Sequence, residues 1–98
     1  MRLPRFSKGP WKHTLTLGNG AHWYRIVCKR GYVATVETLD DARLIAQAPT
    51  LYESLDTLAM DVRRLLDREE TTMLVTDRAW LEQGLRRIET VLNEVDGK

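Results

Sequence analysis

His13, His22 and Cys28 are the only imidazole and thiol groups in the chain. Their spacings match no zinc motif, and three ligands without a fourth do not close a tetrahedral structural site, so they read as partly buried strand residues. A Cys–His nucleophile pair has no third residue to orient it and no identifiable oxyanion donor. Paired carboxylates occur at Asp40–Asp41 and Glu69–Glu70, where a helix start or a connector wants solvated charge. General acid–base chemistry instead needs a carboxylate of shifted pKa in a cleft, for which so short a chain offers little wall. The stretch GNGAHW lacks both the spacing and the following helix of a phosphate loop. The expectation is a protein that is not an enzyme and holds no metal or cofactor.

Cations and flat rings are better represented. Lys12, Arg25, Lys29 and Arg30 stand near Trp11, Trp23 and Tyr32, which is what a nucleic-acid surface needs: positive charge for phosphates and rings for bases. The same residues serve equally as cross-strand packing and the wet face of a small sheet. Arg63, Arg64, Arg68, Arg78, Arg86 and Arg87 decorate two later segments; Arg63–Asp67 and Glu82–Arg86 fall at i,i+4 and describe mainly a solvated face. An interface role for some of these arginines is the alternative. The partner-binding candidates are therefore Lys12, Trp23, Arg25, Lys29, Arg30, Arg63, Arg64 and Arg78.

The 98 residues fit one domain spanning 1–98, and the content of 43% hydrophobic and 30% charged residues is that of a globular chain. Net charge is +1, yet residues 1–36 hold seven basic and no acidic side chains, while 37–98 hold eight basic and fourteen acidic ones. A cationic front third is thus fused to an acidic remainder, whose charge opposes contact with a long duplex. A lone cysteine suits a reducing compartment, and no apolar run approaches the roughly 20 residues of a membrane span. The expected location is the cytoplasm, with no membrane partner.

These side chains need elements to carry them. Residues 1–11, with Pro4, Gly9 and Pro10, read as an irregular basic arm anchored by Phe6 and Trp11. KHTLTL alternates with period two, Gly18-Asn19-Gly20 suits a tight hairpin, and HWYRIVC and Tyr32–Val36 supply two more strands. The result is a three-stranded antiparallel meander over about 12–36, which needs a partner layer to be stable. Thr38 with Asp41 marks a helix start, giving a short helix over about 39–47. Pro49 marks a boundary or a kink before the next helix, and Thr50 with Glu53 offers a second cap.

From there Leu51, Leu55, Leu58, Val62 and Leu65 repeat at 4,3,4,3, and Leu81, Leu85, Ile88, Leu92 and Val95 repeat the pattern. The two stripes predict an antiparallel helical hairpin over about 50–68 and 77–95, in an α+β fold. Thr76 or Asp77 is placed to cap the last helix and Gly97 to end it. Met73, Leu74 and Val75 are either an early helical turn or a buried plug. Gly84, inside that helix, suggests a close helix contact, and Trp80 reads as core, with a dimer anchor as the alternative.

The string ARLIAQAP, Ala42–Pro49, followed by leucines at 51, 55 and 58, resembles a segment common in short accessory proteins of temperate bacteriophages. The resemblance covers about a fifth of the chain, and Asp41, Gln47, Thr50 and Tyr52 depart from it in ways a helix surface tolerates. It implies a phage-encoded binding protein, similar in kind to the small inhibitors of host defence that include anti-CRISPR proteins. On that reading the partner is a host protein complex such as a CRISPR-Cas effector, covered by steric occlusion. The alternatives are a small nucleic-acid-binding regulator using the basic strands, and an assembly accessory that forms a homodimer through surplus leucine and tryptophan surface.

Overall fold

The computed structural model describes residues 2–68 and 74–98. Three strands, β1 (Lys12–Gly18), β2 (Ala21–Cys28) and β3 (Gly31–Val36), form an antiparallel sheet in the order β1-β2-β3. Three helices follow: α1 (Leu39–Ala46), α2 (Ala48–Asp67) and α3 (Val75–Val95). The fold is the expected α+β meander followed by a helical hairpin. Among the described residues no helix is long and apolar enough to cross a membrane. The chain groups into two compact units, Pro4–Leu51 and Tyr52–Lys98, the second of which also includes Arg2 and Leu3.

In the first unit the β1–β2 turn uses Asn19 (φ 47°) and Gly20 (φ 76°), two consecutive left-handed residues that match the twist of a two-residue hairpin. Helix α1 packs on all three strands. Its buried residues are Ala42 and Ala46, one turn apart, whose small side chains suit a close approach; Ala42 and Ile26 are both 0% exposed. Thr38 caps α1, its Oγ1 accepting from the Asp41 N–H at 3.3 Å. Thr38→Ala is expected to cost about 1 kcal/mol in a denaturant titration, the usual value of a lost cap.

Helix α2 restarts at Ala48, directly after Gln47, and not at a Thr50 cap. Pro49 occupies its first turn, where a missing N–H leaves no helical bond unmade, and is buried. The arm before β1 has no helix or strand; Phe6 and Trp11 meet edge to face at 6.0 Å, and Trp11 Nε1 donates to the Ser7 carbonyl at 2.9 Å.

In the second unit α2 and α3 run antiparallel, tied by Tyr52 to Asp96, Arg63 to Glu89, and Arg78 to the Leu66 carbonyl. These polar ties turn α2 by about one residue from the expected stripe. Tyr52, Ala59 and Leu66 are buried, while Leu51 and Leu58 remain 49% exposed and Leu65 36%. Tyr52 is consequently interior and not on a helix surface. On α3 Leu92 is fully buried, and Trp80, expected in the core, is 69% exposed.

Helix α3 begins at Val75 after Leu74, which makes no side-chain cap, so neither Thr76 nor Asp77 caps it; Met73 lies outside the described residues. At the other end Gly97 (φ 77°) donates to the Glu94 carbonyl and Lys98 N donates to the Asn93 carbonyl at 2.8 Å, a Schellman closure. Gly84 is not required by the hairpin's own packing. Among the described residues nothing lies within 4 Å of where its Cβ would stand.

Candidate binding surface

The sheet register sorts the strand side chains onto two faces. His13, Leu15 and Leu17 pair with Ile26, Tyr24 and His22, placing this set on the Ile26 face that α1 covers in part. Lys12, Thr14 and Thr16 pair with Val27, Arg25 and Trp23 and form the opposite face. A bulge between Ile26 and Val27 makes β3 skip one residue, so that Ala34 pairs with Ile26 but Tyr32 with Val27. The bulge moves Tyr32 onto the face of Arg25. There the Arg25 guanidinium lies 5.7 Å from the Tyr32 ring centroid, and Thr35 Oγ1 donates to the Tyr32 hydroxyl at 3.0 Å.

Lys12, Trp23 and Arg25 thus share one face. Lys29 and Arg30 occupy the β2–β3 turn beyond Val27, at the Lys12 end. Lys12, Arg25, Lys29, Arg30 and Tyr32 are exposed, whereas Trp23 is half-buried, its ring resting on Gly18 so closely that a Cβ there would stand 3.1 Å from it. The face and the turn at its end together present four cations, one exposed phenol under a guanidinium, and one braced indole. Such rigid rings carry interface contact area at low entropic cost, and the cations remain hydrated until a partner arrives.

The three arginine candidates on the helices belong to the second unit. Arg63 is engaged with Glu89 across the hairpin, and Arg78 holds the Leu66 carbonyl at 2.7 Å and Glu82 at 3.3 Å. Arg64 has a 3.8 Å pairing with Asp61 and is otherwise exposed; it lines a shallow hollow with Asp61, Leu65 and Arg68. Among the described residues no group of three or more His, Cys, Asp or Glu side chains is arranged to hold a metal ion.

A polar cluster in the second unit is not apparent from the sequence. Arg2 Nη1 donates to Asp96 Oδ2 at 2.7 Å and to Asn93 Oδ1 at 2.9 Å, its backbone N–H donates to Asp56 Oδ2 at 3.2 Å, and Tyr52 Oη donates to Asp96 Oδ1 at 2.7 Å. Asp96, only 5% exposed, is held below the usual carboxylate range, chiefly by the Tyr52 hydroxyl and then by Arg2, against the opposing effect of burial. Burial and the Asp96 carboxylate push the Tyr52 phenol up to about 12. Every buried side-chain polar atom among the described residues has a partner, and the cluster ties the two ends of the hairpin unit together.

Comparison brings no relative to bear on this site. No protein-family model, curated protein or solved structure matches the chain.

Proposed function

We propose that this chain is a non-catalytic binding protein that acts in the bacterial cytoplasm by laying its basic, aromatic sheet face on an acidic surface of a larger protein complex and occluding it. The observation that carries the reading is the gathering of Lys12, Trp23, Arg25 and Tyr32 on one sheet face, with Lys29 and Arg30 at its end. Charge there sets approach and orientation, and the braced rings supply the desolvated anchors. The phage-like ARLIAQAP segment supports a host defence complex, such as a CRISPR-Cas effector, as the target class. Inhibition by occlusion asks only that the bound domain stand where nucleic acid or a recruited nuclease must pass.

Expression in bacteria with an active CRISPR system is expected to restore plaque formation by a targeted phage. The variant R25E/K29E/R30E is expected to lose that effect and to bind the purified effector roughly 100-fold more weakly. Wild-type protein that leaves plating unchanged across a panel of defence systems would sink the reading.

A second reading has an observation of its own, the Arg25–Tyr32 stack beside Trp23, which equally suits a phosphate and a base. It makes the chain a small nucleic-acid-binding regulator. Mobility shifts with single- and double-stranded DNA at low salt, lost on raising salt and in the triple variant, would select it over the first.

A further inference from the structure

Helices α2 and α3 leave apolar side chains outside their shared seam. On α2 these are Leu58 and Leu65; on α3 they are Trp80 (69% exposed), Val91 (48%) and Val95 (50%). At about 100° per residue, Leu58 and Leu65 lie roughly a quarter-turn or slightly more from the buried Ala59 in one rotational sense. Gly84 and Val91 lie about as far from Leu92 in the same sense, with Val95 closer and Trp80 a little beyond. Because the helices run in opposite directions, both sets fall on the same side of the hairpin and make one face. From Trp80 to Val95 that face runs roughly 22 Å along the hairpin and about two helix diameters across it.

The face is complementary to itself. The Tyr52–Asp96, Arg63–Glu89 and Leu66–Arg78 contacts fix the hairpin register, which sets Leu58 level with Val91, Asp61 level with Arg87, and Leu65 level with Gly84. Asp61 and Arg87 lie at opposite outer edges of the face; both are exposed, and among the described residues Asp61 pairs with Arg64 alone, at 3.8 Å. A two-fold axis parallel to the helices preserves height and exchanges the edges. It therefore sets Leu65 of one copy over the open space at Gly84 of the other, Leu58 against Val91, and Asp61 beside Arg87 on both flanks.

We propose that this face is an isologous dimer interface through which two copies close a four-helix bundle. Gly84 then has a reason that the single hairpin does not give it: it is the hole for the second copy's Leu65.

The test is the solution mass of the full chain by light scattering and sedimentation across the micromolar range. Wild type is expected at twice the chain mass. Asp61→Arg and Arg87→Asp are each expected to weaken the dimer roughly tenfold or more, and D61R/R87D to restore it. Gly84→Leu raises helix propensity yet is expected to yield a monomer of unchanged helix content, which separates loss of docking from loss of folding. A monomeric wild type overturns the proposal, including one that binds anionic vesicles or a foreign helix through this face instead. A dimer indifferent to the single charge changes, singles unrescued by the double change, or a Gly84→Leu dimer of wild-type strength overturns it as well.

Discussion

Arg2→Ala is expected to destabilise the helical unit by about 2–3 kcal/mol, read as a lower denaturation midpoint followed by far-UV circular dichroism. The substitution strips Asp96 and Asn93 of their shared donor and leaves a carboxylate that is 5% exposed with the Tyr52 hydroxyl as its remaining side-chain donor. The expected loss lies below that of a fully buried pair because the Arg2 side chain keeps 21% of its exposure. Arg2→Lys is expected to recover part of it, since an ammonium satisfies Asp96 but does not span Asp96, Asn93 and Asp56 with a rigid fork.

The same cluster fixes the sign of the pH dependence. Asp96 titrates below its unfolded value in the folded chain, so its contribution is present above the ordinary carboxylate range and is lost as pH falls through the folded pKa. Tyr52 titrates above its unfolded value, so its contribution is present below pH 10 and is lost as pH rises toward about 12. In Arg2→Ala the acid limb of the stability profile should shift to higher pH. An unshifted acid limb would show that Asp96 does not depend on Arg2.

Leu92→Ala is expected to cost about 3–4 kcal/mol, because this side chain is fully buried in the α2–α3 seam and its removal leaves a cavity. Val95→Ala, one turn later and 50% exposed, is expected to cost under about 1 kcal/mol at concentrations where the chain is monomeric. Equal losses from the two changes would mean that the seam is turned as the 4,3,4,3 pattern suggests and not as the polar ties require. The comparison uses one helix and one denaturation assay.

Local chemistry made much of the fold legible. The KHTLTL alternation and Asn19-Gly20 specify a hairpin, Thr38 declares a helix start, and Pro49 marks the break between two helices, although α2 begins at Ala48, ahead of the expected Thr50 cap, and takes Pro49 into its first turn. The rotation of α2 was not legible, because a leucine stripe broad enough to bury in either of two settings leaves the choice to Tyr52, Arg63 and Arg78, whose partners are distant in sequence. Trp80 was misplaced for the same reason. On the candidate surface Lys12, Trp23 and Arg25 follow from period two, but Tyr32 reaches their face only through the bulge beside Val33, which residue types do not announce. The Arg2 cluster was hidden by separation, since nothing at position 2 points to position 96.

That separation also orders events in time. Each β-hairpin closes over a few residues and can form as soon as its second strand is available, whereas the Arg2–Asp96 bond joins positions 94 residues apart. During synthesis Asp96 is made 94 residues after Arg2, and the bond between them cannot close until it has emerged. The cluster therefore closes after both β-hairpins have their strands, and a chain truncated before Asn93 would lack the Asn93 and Asp96 acceptors of Arg2.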